Sequence, residues 1–226
     1  MNAVLLTGGW AHPSDATFEP LVDLLTEAGF DITMTEAVEA LPPLLAEGAD
    51  LLVVNACRFR MLDDRYNDDQ RAEWAVESTP MVRAAIVEHL AAGRPLLGLH
   101  AASICFDDWP QWGELLGGSW QWDRSGHGPV APFDVALRPD HPVADGIEPF
   151  SVQDECYRHL AVADDAAVLL TAEEDGETHV LGWTRTDGDA RVAYSALGHD
   201  QRSLEEPAHQ RFLQHLLAWL TGEGPA

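Results

Sequence analysis

Short apolar runs alternate with amphipathic stretches along the first half of the chain. Apolar runs at residues 3–6, 50–55 and 96–99 predict buried strands, because strands covered on both faces are apolar throughout. Between the last two runs, Thr79 followed by Pro80 is typical of a helix start, with a capping side chain and proline at the first helical position. Strands that alternate with helices favour an α/β fold with a mostly parallel sheet and right-handed crossovers.

The pattern changes in the second half of the chain. Short strand-like runs separated by turns predict extra strands at residues 130–137, 150–154, 167–170, 180–183 and 192–195, followed by an amphipathic helix at 205–220. The charged stretch 56–78 is interpreted as a surface loop or lid. Because no linker or composition break interrupts the chain, residues 1–226 are expected to form a single domain.

Charge and cysteine content narrow the possible partners. The net charge is -25, from 38 acidic and 13 basic residues, and every basic residue is arginine. A lysine-based Schiff-base mechanism is therefore excluded, and nucleic acid or an anionic membrane is an unfavourable partner. Cys57, Cys105 and Cys156 are widely spaced, which suits a reducing compartment. With no signal-like N-terminus and no apolar run of about 20 residues, the sequence predicts a cytoplasmic protein.

One histidine stands where a strand turns into the next element. The run 96–99 stops at His100 and small residues follow, so Gly98-Leu-His-Ala-Ala102 matches the spacing of a G-x-S-x-G elbow with histidine at the central position. Ligands of open α/β sheets bind at this carboxyl edge. A helix N-terminus after the elbow would disfavour the imidazolium, leaving His100 as a base, a hydrogen-bond donor or a metal ligand.

Further polar side chains follow other strand ends. His12 follows the first strand and His199 the last, so both could share a cleft with His100, although their spacing is not a local metal motif. His127 lies in a glycine-rich loop. Taken singly, His12 and His127 are more typical of a surface or hydrogen-bonded loop histidine, whereas the strand-end position and adjacent glycine of His199 favour a place in the site. Asp154-Glu155 ends a strand, and a carboxylate there could act as a general acid or base, orient an imidazole or bind sugar hydroxyls. An ion pair with Arg158 or a loop cap is the alternative interpretation.

Tryptophans are concentrated just after the elbow. Residues 109–122 contain four of the eight, among glycine and polar residues. Tryptophan faces stack on the C–H surfaces of sugar rings, so Trp120, together with Trp10 near the first strand end, is a candidate substrate contact. Core packing is the alternative interpretation for any one of them.

The order and spacing of several motifs resemble the ThuA-like, or trehalose-utilisation, family of the class I glutamine-amidotransferase-like superfamily. The motifs that carry the resemblance are Gly98-Leu-His-Ala-Ala-Ser103, Leu116-Gly-Gly-Ser-Trp120 with His127 beyond it, His141-Pro-Val-Ala-Asp-Gly146, Asp154-Glu-Cys-Tyr157, Gly182-Trp183 and Tyr194-Ser-Ala-Leu-Gly-His199. The resemblance implies a flavodoxin-like three-layer α/β/α sandwich with extra C-terminal strands. It also implies a role in carbohydrate metabolism, with histidine in place of the amidotransferase cysteine.

The resemblance also indicates which residues form the site. The resemblance implies a site formed by His100, His127, Glu155 and His199, with Asp154 and Tyr157 as support. We expect His100, Glu155 and His199 to be the catalytic residues. The expected substrate contacts are His12, Trp10, Trp120, His127, Asp154 and Tyr157. Some relatives look able to hold a divalent metal such as zinc, for which His100 and His199 are candidate ligands. The loop from Gly117 to Gly128 is longer than the family pattern, which leaves the role of His127 open.

Two functions fit these observations. The first is an enzyme that cleaves a glycoside or keto-sugar derivative by hydrolysis or a lyase-type reaction. The second is a non-catalytic sugar-binding or sensor protein that keeps the fold without the nucleophile. Glutamine amidotransfer is excluded at the elbow, because Cys105 lies five residues past His100. The exposed faces of the long helices would allow a homodimer.

Overall fold

A computed structural model describes residues 1–223 and contains a large mixed sheet flanked by helices. Its strands are β1 (Asn2–Gly9), β2 (Asp31–Thr35), β3 (Leu51–Cys57), β4 (Leu96–Leu99), β5 (Gly118–Ser119), β6 (Gly126–His127), β7 (Ala131–Leu137), β8 (Phe150–Asp154), β9 (Tyr157–Arg158), β10 (Ala161–Val162), β11 (Ala167–Glu174), β12 (Glu177–Asp187) and β13 (Ala190–Ser195). Its α-helices are α1 (Phe18–Glu27), α2 (Leu41–Ala46), α3 (Asp68–Trp74), α4 (Pro80–Ala91), α5 (Gln111–Leu116), α6 (Gln201–Leu204) and α7 (Pro207–Thr221). None of the described helices is both long and apolar enough to cross a membrane.

The main sheet has nine strands in the order β2-β1-β3-β4-β13-β12-β11-β7-β8. The pairs from β2 to β13 are parallel, and those from β13 to β8 are antiparallel. The predicted α/β class and the added C-terminal strands are confirmed. The extension forms an antiparallel half joined to the parallel half at β13.

The parallel half explains why the apolar runs of the sequence are continuous. Every residue of β3 and every residue of β4 is buried. β13 comes from nearly one hundred positions later in the chain, yet it pairs directly with β4, so Ser195 lies beside Leu99. The segments that follow β1, β4 and β13 therefore meet at the carboxyl edge of the sheet.

Local expectations are partly confirmed. The Thr79 side chain caps α4 by accepting a hydrogen bond from the Val82 N–H at 3.3 Å. The predicted C-terminal helix begins later than expected, because a four-residue helix precedes it and Pro207 starts a new one.

The segment 56–78 is not a simple surface lid, so that prediction is wrong. Phe59 and Met61 are buried, and residues 68–74 form α3. The ring of Tyr66 packs edge-on against that of Phe59, with centroids 5.7 Å apart. The burial of these apolar side chains holds the segment against the body of the protein, despite the acidic residues between them.

Candidate functional site

The elbow after β4 presents His100 at the sheet edge with an unusual backbone conformation. The φ angle of His100 is +47°, in the left-handed region that few non-glycine residues adopt. The helix that follows is only a 3-10 turn, from His100 to Ser103. The Tyr194 hydroxyl donates a hydrogen bond to the His100 carbonyl at 2.8 Å and fixes the turn. The sequence motif Tyr194-Ser-Ala-Leu-Gly-His199 contains this tyrosine, but no role in the site was predicted for it, although a buried tyrosine hydroxyl usually has a hydrogen-bond partner.

Two backbone carbonyls determine which ring nitrogen of His100 and His12 carries the proton. Nδ1 of His100 lies 2.7 Å from the Ala196 carbonyl oxygen, and Nδ1 of His12 lies 2.7 Å from the Trp10 carbonyl oxygen. Because a carbonyl oxygen can only accept, each Nδ1 must donate. The Nε2 atom of each neutral ring is then a bare acceptor.

These nitrogens converge with His199 and Glu155. One ligand atom from each of His12, His100, Glu155 and His199 lies within 4.8 Å of the others. His100 Nε2 is 3.2 Å from His199 Nδ1 and 3.4 Å from Glu155 Oε2. His199 Nδ1 is 3.5 Å from the same Glu155 oxygen. His12 Nε2 is buried and has no hydrogen-bond partner among residues 1–223. These four residues are called the histidine cluster below.

The histidine cluster fits a divalent ion such as zinc. Zinc is commonly bound by histidine nitrogen and carboxylate oxygen, and bonds of about 2.0–2.1 Å in a tetrahedron separate the ligand atoms by about 3.4 Å. The three short distances within the cluster, 3.2, 3.4 and 3.5 Å, match this spacing. The orphaned His12 nitrogen supplies a fourth donor.

Burial and charge shift the pKa values of the cluster in different directions. Burial and the neighbouring His100 lower the pKa of His12 to about 3. Burial also lowers the pKa of His199, followed by the effect of His100. Although burial lowers the pKa of His100, the hydrogen bond and charge of Glu155 and the charge of Asp154 outweigh it, so its pKa is raised. For Glu155, burial acts upward but the hydrogen bond and charge of His100 lower its pKa overall.

The raised pKa of His100 corrects the expectation that a helix dipole keeps this ring neutral. The single 3-10 turn after the elbow has little dipole, whereas two carboxylates face the ring. The carboxylates therefore decide the direction of the shift.

Asp154 was predicted both as a substrate contact and as a supporting residue, and the structure shows only the supporting role. Its side chain is completely buried. Its Oδ1 accepts the Glu155 N–H at 2.7 Å and its Oδ2 accepts the Gly198 N–H at 2.6 Å. One buried carboxylate thus ties together the two segments that carry Glu155 and His199, and it cannot touch a ligand in this arrangement.

Tyr157 and His127 line the cluster from the two-stranded antiparallel sheet of β6 and β9, in which they are cross-strand neighbours. The buried Tyr157 hydroxyl lies 3.2 Å from His100 Nε2, and burial raises the pKa of this hydroxyl well above its ordinary value. His127 Nδ1 lies 3.4 Å from Glu155 Oε2, and its side chain is 35% exposed. The loop 117–128 is longer than the family pattern, but it still places the His127 ring beside Glu155 at the edge of the cluster.

The tryptophans divide between core and surface. Trp109 and Trp112 are buried core residues, whereas Trp120 is half-buried with its ring 5.2 Å from that of Tyr157. Trp122 is 41% exposed and its ring lies 5.3 Å from that of Phe59. Trp10 reaches the site through its carbonyl to His12, while its indole packs against Tyr66 at 5.7 Å. The structure thus places the Trp120 indole beside the cluster and turns the Trp10 indole towards Tyr66.

The cysteines do not supply a nucleophile. All three are buried and free. The Cys105 thiol donates to the Ala56 carbonyl at 2.8 Å, and burial raises its pKa to about 12. A thiolate is the reactive form of cysteine, so a buried thiol with this pKa is a poor nucleophile.

Comparisons with known proteins agree with this architecture. A glutamine amidotransferase from Thermotoga maritima superposes with a TM-score of 0.57 at 13% identity, covering 98% of each chain. A thua-like protein from Parabacteroides merdae ATCC 43184 has a TM-score of 0.80 at 18% identity, covering 100% of this chain and 92% of that one. A cytoplasmic protein from Salmonella typhimurium LT2 has a TM-score of 0.66 at 12% identity, covering 97% and 99%. These similarities confirm the flavodoxin-like, amidotransferase-like fold.

At the level of sequence, the comparison with curated proteins finds no significant match. The family model for ThuA, described as trehalose utilisation, matches residues 2–220. That description supports a carbohydrate-related role. Because the match spans nearly the whole chain, the protein belongs to the ThuA (trehalose utilisation) family.

Proposed function

We propose that this protein is an enzyme that cleaves a glycoside or keto-sugar derivative by hydrolysis or a lyase-type reaction. The observation that carries the proposal is the convergence of three imidazole nitrogens and one carboxylate oxygen at the carboxyl edge of the sheet. The family description points to carbohydrate as the substrate class. The free cysteines suit a reducing, cytoplasmic location.

In this proposal, His12, His100, His199 and Glu155 hold a divalent metal such as zinc. A metal bound there would polarise a sugar carbonyl or lower the pKa of a water molecule. The carbonyls of Trp10 and Ala196 act on the ligands themselves, because they fix the proton on Nδ1 and aim Nε2 at the centre. Loading would be pH-dependent, since the raised pKa of His100 means that a proton competes with the metal.

His127 is placed to move a proton. Its Nδ1 donates a hydrogen bond to the Gly128 carbonyl at 2.8 Å, which leaves Nε2 of the partly exposed ring as the nitrogen that can accept a proton. It is also outside the four-residue set that would ligate the metal. In this proposal, Nε2 of His127 therefore accepts a proton from a substrate hydroxyl or a bound water and releases it to solvent.

Aromatic side chains beside the cluster provide a surface for a sugar ring. The ring of Trp120 lies 6.0 Å from that of His127 and 6.4 Å from that of Trp122. Trp122 is exposed, and its ring packs against the ring of Phe59. We call the Trp120 and Trp122 rings the aromatic wall. A substrate that binds one sugar ring at the histidine cluster can stack a second ring on the aromatic wall. The proposal therefore favours a disaccharide-like or aryl-substituted sugar as substrate.

A non-catalytic sugar-binding or sensor protein is the second candidate. It is favoured by the absence of a side-chain nucleophile at the elbow, where histidine stands, and by the burial of all three thiols. Such a protein would bind a sugar against Trp120 and Trp122 without converting it to product.

The first experiment measures the metal content of purified, untagged wild type beside His100→Ala and His199→Ala. His215→Ala is the matched control, because His215 is a partly buried histidine whose Nδ1 is paired with the Val143 carbonyl outside the cluster. We expect about one zinc or similar ion per chain in wild type and the control, and little in the two cluster variants. Equal metal content in all four proteins would contradict the metal assignment.

The second experiment separates the enzyme from the sensor. A panel of disaccharides and their keto derivatives is screened for product and for ligand-induced thermal stabilisation, with wild type and Glu155→Gln. The enzyme proposal predicts turnover that falls at least about 100-fold in Glu155→Gln. Stabilisation by a sugar without product in wild type, retained in Glu155→Gln, would support the sensor.

A further inference from the structure

A second group of metal-binding side chains lies on the antiparallel half of the sheet. Glu177 and His179 occupy alternate positions of β12 and therefore project from the same face of the strand. His159 lies between β9 and β10 and faces them. One ligand atom from each of these three residues lies within 4.8 Å of the others, and the group shares no residue with the histidine cluster.

The topology explains how His159 reaches β12. β13 pairs with β12 only from Gly182 onward, so the first residues of β12 have no neighbour from β13. β9 packs against β12, and His159, which follows β9, contacts His179 in the first part of that strand. The φ angle of His159 is +56°, and the chain turns there between β9 and β10. The turn directs the ring towards His179, with ring centroids 4.9 Å apart and planes at 84°.

Burial and charge distinguish this group from a chance surface pair. His179 is only 4% exposed. Glu177 Oε2 lies 3.9 Å from His159 Nε2, and both of these side chains are exposed. Arg158 is the cation next to His159 in the chain, and it pairs with Asp175 and Glu174 at 3.4 and 3.6 Å. Arg158 therefore does not pair with Glu177, whose carboxylate faces His159.

We propose that His159, Glu177 and His179 form a separate zinc site. Two imidazoles and one carboxylate are a donor set that zinc favours, and three protein ligands leave a position open to water. His159 Nε2 and Glu177 Oε2 lie 3.9 Å apart, which exceeds the roughly 3.4 Å of a tetrahedral zinc site. Both of these side chains are exposed, so rotation of either one can close the difference. The net charge of -25 raises the concentration of cations near the surface.

The position of the site connects it to the histidine cluster. His159 follows Tyr157 by two residues, and Tyr157 pairs with His127 in the small β6–β9 sheet. The Ser125 hydroxyl also donates to the His159 carbonyl at 2.8 Å. Zinc at the second site would hold in place the small β6–β9 sheet, which carries the Tyr157 and His127 side chains beside the histidine cluster.

Calorimetric titration of the chelator-treated full chain with zinc tests the site. The variants are His159→Ala and Glu177→Gln, which alter exposed side chains and leave the buried His179 in place. Glu148→Gln is the matched control, because Glu148 is an exposed carboxylate outside both groups. His199→Ala removes a ligand of the histidine cluster alone.

We expect a zinc equivalent that His199→Ala and Glu148→Gln retain, and that His159→Ala and Glu177→Gln each weaken at least tenfold. This result would support the second site whether or not the histidine cluster binds metal. The proposal is overturned if His159→Ala and Glu177→Gln bind zinc as wild type does. It is equally overturned if His199→Ala abolishes all zinc binding.

Discussion

At the scale of single residues, the backbone and the ring of His100 have separate supports. The Tyr194 hydroxyl holds the carbonyl of the strained elbow, and the Ala196 carbonyl holds the ring nitrogen. A left-handed non-glycine residue costs about 1–3 kcal/mol and persists only where its surroundings fix it. The strain at this position therefore marks an elbow that the rest of the molecule maintains.

Asp154→Asn tests whether this carboxylate positions the cluster. Both of its oxygens accept backbone N–H groups, so an amide would place its NH2 against one of those donors. We expect a loss of about 1–3 kcal/mol in the free energy of unfolding, and weaker metal binding because the segments with Glu155 and His199 loosen. Urea unfolding and zinc titration measure the two effects. Wild-type zinc affinity in the variant would argue against a positioning role.

At the scale of elements, the placement of β13 beside β4 creates the site. This parallel pairing brings the turn after β13 to the elbow after β4, so His199 meets His100. Gly198 makes that turn with a φ of +116°, where a side chain is strained.

Gly198→Ala should therefore damage both stability and the site. A side chain in the left-handed region costs about 1–2 kcal/mol, and relief of the strain would move the adjacent His199. Gly29→Ala is the control, since Gly29 also has a positive φ, +83°, and a Cβ there would meet nothing within 4 Å. Thermal melting and zinc titration should show a stability loss in both variants and a loss of affinity only in Gly198→Ala. Equal zinc affinity in the two variants would count against this view of the turn.

The start of α4 offers a prediction that depends on local structure alone. Thr79 accepts the Val82 N–H, so Thr79→Ala leaves a helix N–H without its partner and should cost about 1 kcal/mol of unfolding free energy. Thr79→Ser keeps the hydroxyl and should stay close to wild type. Urea midpoints compare the three proteins, and an equal loss in both variants would show that the methyl group, not the cap, matters.

At the scale of the whole molecule, buried histidines couple stability to pH. Burial lowers the pKa of His12, His89, His141, His199 and His209. At pH values below the ordinary histidine pKa of about 6.5, these side chains bind protons in the unfolded chain but not in the folded protein. The free energy of unfolding therefore falls as pH falls. His100 acts in the opposite sense, because its stabilising contribution is complete below its unfolded pKa and is lost as pH rises through its raised folded pKa.

The five histidines with lowered pKa values should affect the free energy of unfolding more than His100, the one histidine with a raised pKa. For His12, with a folded pKa of about 3, the loss at pH 5 is about 2 kcal/mol relative to neutral pH. We therefore expect the urea midpoint of chelator-treated protein to be lower at pH 5.0 than at pH 7.5. His209→Gln, outside the histidine cluster, should reduce the difference. A midpoint that does not change over this range would contradict the prediction.

The sequence by itself determined the buried strands and the alternation of strands and helices in the first half of the chain. Continuous apolar runs indicate buried strands because both faces are covered, and Thr79-Pro80 marks a helix start because capping is a local interaction. His100, Glu155 and His199 could be singled out because each lies at a strand end, and strand ends meet at one edge of a parallel sheet. The aromatic residues of 56–78 were overlooked because their acidic neighbours dominate the local pattern.

Only the tertiary structure decided what those residues do together. The pKa of His100 depends on Asp154 and Glu155, more than fifty positions away, and the carbonyl that fixes its ring comes from Ala196. The placement of His12 in the cluster and the burial of Asp154 likewise depend on contacts between distant segments. Periodicity reports which face of an element is buried, whereas the distances between ring nitrogens arise only when β1, β4 and β13 lie in one sheet.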